Sequence, residues 1–237
     1  MSLDELREHV CAANTELGSS GLVTLSFGNA SGVDRSVGIM LIKPSGVPYE
    51  TLRPGDLVGV DLASGVAIEG AARPSSDTPT HLSLYRRYAE IGGVVHTHST
   101  HASAWAQAGR PIPCLGTTHA DHFRGPVPVT RTMQPSELGE TYEADTGALI
   151  IETLDALRLG PLEMPAVLVR SHGPFTWGQD AAEALANAIA LEAVAMMAAR
   201  TLLLDPDARP IEDSLRDRHF GRKHGLGAYY GQAGRKS

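Results

Sequence analysis

Two histidines one residue apart, His96 and His98, close the run Gly92-Gly93-Val94-Val95-His96-Thr97-His98-Ser99. A short apolar run bounded by glycines reads as a buried strand. On a strand, residues i and i+2 share a face with Cα atoms roughly 6–7 Å apart, so two imidazoles can converge on one metal ion. The plain alternative is a pair of hydrogen-bonded polar residues at a strand end, and H-x-H alone does not choose between them. His172 shifts the balance, because it too follows an apolar strand, Ala166-Val167-Leu168-Val169. Three imidazoles that leave a coordination position open describe a catalytic rather than a structural divalent site. Imidazole suits zinc, and manganese or cobalt can take the same donors. His9, His81, His101, His119, His122, His219 and His224 compete for ligand roles, with His9 and His81 expected on helix surfaces.

Further polar residues could serve such a site. Asp77, on residue type alone, is an ordinary helix-start carboxylate favoured by the helix dipole. Ser75 and Ser76 beside it serve equally as caps or as phosphate ligands. Asn29, Lys43, Ser45 and Gly46 sit in two turns after strand-like runs and make a possible anion pocket. Lysine supplies a point charge there, and hydroxyls and backbone amides supply directed donors. Each turn taken singly reads as a hairpin turn. There is no G-x-x-x-x-G-K-[ST] and no G-x-G-x-x-G, so nucleotide and nicotinamide readings lack support. G-x-S-x-G is absent as well. Asp121, flanked by Thr118, His119 and His122, is either a general acid/base or a loop carboxylate bonded to local backbone. Tyr229 and Tyr230 would exchange protons only if a cation or hydrogen bond moved them from their usual ~10.

The elements that must position these residues follow from the apolar pattern. Leu3 to Leu17 has helical spacing, Ser2 and Glu5 form a capping-box pattern, and Gly18 is a natural stop. Leu22–Ser26 reads as a strand running into a small-residue turn over 27–32. Gly38–Ile42, Leu57–Leu62 and Val66–Glu69 read as further strands. Helices are expected from the Pro79 region to Glu90 and from Thr100 to Ala108. Thr117–Asp121 reads as a polar loop and Pro126–Thr130 as a short edge strand. Helix 146–157, strand 166–169 and a hairpin partner at 175–178 follow. A long Ala-rich helix over 180–204, apolar on more than one face, suits the interior or a subunit contact. A last helix spans 211–223. Strands and helices interleave in one α/β domain, and the early connections are too short for repeated crossovers, so the sheet is mixed and largely antiparallel.

Composition narrows the function classes. The chain of 237 residues is long enough for one domain with a large core, and 5% aromatic content means that core is built from Val, Leu, Ile and Ala. The net charge of −7 lacks the basic stripe of a nucleic-acid footprint. Cys11 and Cys114 have no metal or redox spacing, which fits reduced thiols in the cytoplasm. No run reaches the ~18 apolar residues of a membrane span.

Long collinear motifs now carry a resemblance. They are Gly28-Asn29-Ala30-Ser31, Lys43-Pro44-Ser45-Gly46, the run from Pro74 to His81, and His96-Thr97-His98-Ser99. Gly116 to Asp121, Ser171-His172-Gly173-Pro174-Phe175, Lys223-His224-Gly225 and Tyr229-Tyr230-Gly231-Gln232 complete the set. Together the chain resembles the L-ribulose-5-phosphate 4-epimerase family of the class II aldolase/adducin superfamily, over residues 1–232, leaving 233–237 unmatched. The resemblance implies a class II aldolase-like α/β/α sandwich around a mixed sheet, assembled as a homotetramer with sites between subunits. It implies zinc held by His96, His98 and His172 with Asp77 beside or on the metal. The phosphate of a sugar-phosphate substrate would lie among Asn29, Lys43, Ser45, Gly46, Ser75 and Ser76. Asp121 and Tyr230 would be the acid/base pair, supported by Thr117 and His219.

Related sugar-phosphate aldolases carry glutamate where Asp77 stands, so aspartate favours epimerisation over an aldolase that releases its fragments. The three histidines argue against a non-catalytic adducin-like module. His122, Arg124 and Phe220 depart from the family pattern beside site residues.

Overall fold

The computed structural model describes residues 1–225, 228 and 229. Helix α1 (Leu3–Ser19) opens with the expected capping box: Ser2 Oγ accepts from Glu5 N and the Glu5 carboxylate accepts from Ser2 N. It does not stop at Gly18. There its backbone presses so closely on Tyr49 that a Cβ would collide with the Tyr49 Cβ, and the helix ends one residue later, with Ser20 as C-cap.

Among the described residues seven strands follow in the spatial order β4-β3-β2-β1-β5-β7-β6. They are β1 (Asn29–Asp34), β2 (Ile39–Ile42), β3 (Val58–Asp61), β4 (Ala67–Glu69), β5 (Gly93–His96), β6 (Ala166–Val169) and β7 (Gly173–Gly178). Every neighbouring pair is antiparallel, so the sheet is less mixed than expected. Among the described residues the lone parallel contact is an isolated bridge, Val129 to Leu168. It belongs to the segment expected as an edge strand, where Pro126 and Pro128 remove alternate N–H donors and leave only bridges.

The first strand lies elsewhere than its apolar pattern suggests. Leu22–Ser26 forms turns, with Leu25 at φ 57° and Phe27 N donating to Thr24 O. The small-residue stretch expected as a turn is β1, a central strand. Its small side chains let α1 pack close: a Cβ on Gly32 would lie 2.7 Å from Val10 Cγ2. Propensity reads such residues as a turn; here they are a packing surface.

Side-chain alternation along the strands divides the core between the two faces of the sheet. Leu41 and Val95 join α1, while Met40, Ile42 and Val94 join α2 (Thr78–Arg87), α3 (Thr100–Ala108) and α5 (Tyr142–Leu157). The long helix α6 (Ala181–Leu204) contributes Ala184 and Leu185 to one core and Leu191 and Val194 to the other. At 24 residues α6 is, contrary to expectation, apolar and long enough to cross a membrane by length and composition; part of that apolar surface packs in both cores, while Ile189, Met197, Leu203 and Leu204 are exposed. The 117–121 segment is not a loop but a single helical turn, α4 (Thr117–Ala120), driven by burial of His119 and Ala120. Helix α7 (Asp213–His224) packs beside it.

Glu192 of α6 supplies the cap that α3 lacks. Ser99 makes no side-chain cap bond, and the Glu192 carboxylate accepts from His101 N at 2.8 Å and Ala102 N at 2.9 Å. Burial opposes ionisation there, but these backbone bonds and the His101 ring outweigh it and hold the carboxyl below its usual range. A depressed carboxylate pKa stabilises the fold above its unfolded value, and that contribution disappears as pH falls through the folded value. Glu192→Ala is expected to cost about 1–2 kcal/mol at neutral pH, read from the denaturant midpoint, with a smaller difference in acid. An unchanged midpoint would refute the capping role.

Candidate metal centre and anion pocket

Antiparallel pairing places the functional residues at one end of the sheet. There β1 and β7 begin and β2 and β5 end. Asn29 pairs with His96, and His96 pairs with Phe175 just past the turn that carries His172. Lys43 follows Ile42 at the end of β2, and the 73–77 segment docks there through Ser45 N to Arg73 O (2.9 Å) and Ser75 N to Lys43 O (3.1 Å). Gly28 is held at φ 99°, and a Cβ there would lie 2.6 Å from the His96 carbonyl, so the approach to β1 depends on glycine.

His96, His98 and His172 present ligand nitrogens that all lie within 4.8 Å of one another. His98 lies beyond the end of β5, yet its Nε2 comes to 3.1 Å from His96 Nε2. His96 Nδ1 donates to the Pro174 carbonyl at 2.9 Å, which fixes the tautomer and leaves Nε2 as the free lone pair. Its ring is stacked on Phe175, centroids 4.1 Å apart. Tyr142 OH lies 3.4 Å from His172 Nδ1, leaving the other ring nitrogen for the cluster. Burial, then the neighbouring imidazoles, push His98 below its ordinary value and His172 down to about 4. These rings are therefore neutral near pH 7. Three converging imidazoles, one with its lone pair fixed toward the others, fit a divalent metal.

Asp77 occupies the N-cap position of α2 but makes no side-chain cap bond, contrary to the simple helix-start reading. Its carboxylate instead accepts from Asn29 Nδ2 at 2.6 Å. Burial opposes ionisation, but His96, His81 and the Asn29 bond outweigh it and keep the group below the usual carboxylate range. Ser75 takes up the cap-like role, its Oγ accepting from Asp77 N at 3.3 Å and from Asn29 Nδ2 at 3.0 Å.

One cavity of about 390 Å³ is lined by the three histidines, Asp77 and all six expected phosphate-binding residues, Asn29, Lys43, Ser45, Gly46, Ser75 and Ser76. Phe27, Tyr142 and Glu143 also line it and had no signal in spacing or type. Phe27 is stacked on His98 at 6.0 Å, and Glu143 is anchored by Thr80 Oγ1 donating to its carbonyl at 2.6 Å.

Of the remaining expected site residues, those described lie elsewhere in the chain. Asp121 and Thr117, with α4, and His219 on α7 do not line the histidine cavity, and Tyr230 lies outside the described residues. Asp121 accepts from Arg222 Nε at 3.0 Å, Arg222 Nη2 at 2.8 Å and His219 Nδ1 at 3.1 Å. Its burial favours the neutral acid, but those partners prevail and hold it below its ordinary value. His224 Nε2 donates to the Asp121 carbonyl at 2.8 Å. The departures from the family pattern are tied into the same region. Arg124 pairs with Glu163, His122 lies 3.1 Å from Lys223 Nζ, and Phe220 is stacked on His224.

His81 is not on a helix surface. It is fully buried, its Nδ1 2.7 Å from Ser31 Oγ, which in turn lies 2.8 Å from Tyr85 OH. Burial pushes its pKa down to about 3, so it stays neutral. The expected helix surface for this position ignored the sheet, where His81 meets Ser31 of β1 and the Phe175 ring of β7. His9 is exposed, as expected.

Residues 8–199 match the family model described as Class II Aldolase and Adducin N-terminal domain. The chain belongs to this family. Within the class II aldolase/adducin family it is 53% identical over 230 residues to a Salmonella paratyphi C protein named L-ribulose-5-phosphate 4-epimerase UlaF. That alignment covers 97% of this chain and 100% of the relative. Among solved structures, an L-fuculose 1-phosphate aldolase shares the fold at a TM-score of 0.78 and 21% identity, over 94% of this chain and 97% of the other. YgbL from Escherichia coli, titled a putative aldolase/epimerase/decarboxylase, matches at a TM-score of 0.71 and 25% identity, over 92% and 98% of the two chains. The class II aldolase architecture expected from the sequence motifs is thus the architecture observed.

Proposed function

We propose that this chain is a metal-dependent sugar-phosphate epimerase that interconverts L-ribulose 5-phosphate and D-xylulose 5-phosphate. The observation that carries the reading is one cavity holding three converging imidazoles, an aspartate and a set of anion donors. The 53% identity to an epimerase over that relative's whole length supports it.

The chemistry explains why such a cavity is needed. Carbon 4 of the substrate is not adjacent to the carbonyl, so its proton is not acidic and simple deprotonation cannot invert it. Breaking the C3–C4 bond can. One of Asp121 and Tyr230 takes the C4 hydroxyl proton, and the C3–C4 electron pair moves toward the ketone. The products are the enediolate of dihydroxyacetone and glycolaldehyde phosphate. Lys43, Asn29, Ser45, Ser75, Ser76 and the Gly46 backbone hold the phosphate while the aldehyde turns over. The bond reforms on the other face, and the second of the pair returns a proton to the new alkoxide. Two proton-transfer groups are required because the two faces are opposite. A divalent metal held by His96, His98 and His172, with Asp77 beside it, supplies a Lewis acid for the charge gathering on the substrate's oxygens. We assign that metal as zinc and Thr117 and His219 as supporting residues.

Asp121 and His219 lie outside the histidine cavity within one protomer, which supports a homotetramer whose neighbouring subunit brings them to the site. We place the enzyme in the cytoplasm, in pentose breakdown of the arabinose type.

The test is formation of D-xylulose 5-phosphate from L-ribulose 5-phosphate, followed with a coupling enzyme. Turnover is expected to vanish with chelator and return with zinc. Metal-loaded protein that condenses dihydroxyacetone with aldehydes but never epimerises would overturn the reading in favour of an aldolase.

A further inference from the structure

Lys43 is unusual among the cavity residues. It is 2% exposed, and among the described residues its ammonium meets only the Pro44 carbonyl, 3.3 Å away, and the face of the Tyr49 ring, 4.7 Å from the ring centroid. A buried ammonium without a carboxylate partner is costly, and an aromatic face offsets part of that cost without cancelling the charge. The charge therefore stays available to an anion entering the cavity.

Tyr49 does not line the cavity and is 3% exposed. It opens a single 3-10 turn (Tyr49–Thr51) after the Lys43-Pro44-Ser45-Gly46 segment. Its hydroxyl donates to the Gly28 carbonyl at 2.6 Å, one residue before Asn29. Helix α1, pressed against it at Gly18, leaves the ring no room to swing away. One side chain thus touches both halves of the anion pocket: the ring holds the Lys43 ammonium, and the hydroxyl holds the turn that presents Asn29.

We propose that Tyr49 is a positioning residue for phosphate recognition, its ring face aiming the Lys43 ammonium and its hydroxyl fixing the Gly28–Asn29 turn. This rests on the reading of Lys43 as a phosphate ligand. The source of the effect is the electron density of the ring face, which distinguishes it from ordinary packing.

The experiment uses the full-length, metal-loaded chain with inorganic phosphate as probe, by calorimetric titration and by competition against the sugar phosphate. Tyr49→Phe keeps the ring. Mono-, di- and trifluorinated phenylalanines placed at position 49 then withdraw density from its face with little change of shape, so folding is preserved. Phosphate binding is expected to weaken stepwise along the series, by about 3- to 30-fold in total, with KM rising in parallel. In a Lys43→Met background the series is expected to be flat.

Two results overturn the proposal, and they are distinguishable. A flat series in a chain whose Lys43→Met variant binds phosphate poorly removes the role of Tyr49 alone. Undiminished phosphate binding by Lys43→Met removes the phosphate reading of the pocket and this proposal with it.

Discussion

His98→Asn is expected to lose bound metal and turnover together. His98 is the exposed member of the three-histidine cluster, so its replacement opens no cavity in the core and the fold is retained. Asparagine is close in length but offers no imidazole nitrogen, and two imidazoles remain. Metal content measured after dialysis is expected to fall well below one ion per chain, and activity to drop by about 10³-fold or more. Circular dichroism is expected to match the parent. A variant that keeps a full complement of metal and turns over normally would show that the cluster is structural.

Asp121→Asn is the second large effect, and it separates proton transfer from metal binding. The amide fits the same space but cannot accept a proton at neutral pH. The rate is expected to fall by about 10²- to 10⁴-fold with metal retained. Tyr230→Phe is expected to behave alike, with fold and metal intact and epimerisation lost; normal turnover by it would end the acid/base assignment. Asp121 also links stability to pH. Arg222 and His219 hold its carboxyl below the ordinary 3.8 despite burial, so its contribution is complete above that value and is lost as pH falls through the folded one. In Asp121→Asn the corresponding part of acid destabilisation is expected to vanish. An acid-denaturation midpoint unmoved by the substitution would refute the linkage.

How much of this was legible in the sequence depends on whether a residue's surroundings are local. Helix α3 and the β6–β7 hairpin are, because their apolar periods and bounding turns lie within the segment. The convergence of His96 and His98 followed from period two, although His98 stands two residues past the strand. Strand β1 was misplaced because its small side chains answer to α1, a helix already passed in the chain. His81 was misplaced for the same kind of reason: its burial comes from Ser31 and Phe175, on strands fifty residues earlier and about ninety residues later. Asp77 could not be assigned from type alone, since helix-start and site carboxylates share one position. Only the direction of its side chain, toward Asn29 rather than its own helix, tells them apart. Tyr142 and Glu143 left no trace, because they reach the cavity through the packing of α5 on α2.

The grip on Asp121 divides the molecule in a way the sheet does not. The histidines, the anion donors and Asp121 itself all fall within residues 8–199, the span matched by the family model. The three side chains that seize Asp121, His219, Arg222 and His224, all fall after it. The span matched by the family model thus carries the histidine cavity, while the segment after it sets the charge state of one carboxylate. Exchanging that segment would therefore change the charge state of Asp121 while leaving the histidine cavity untouched.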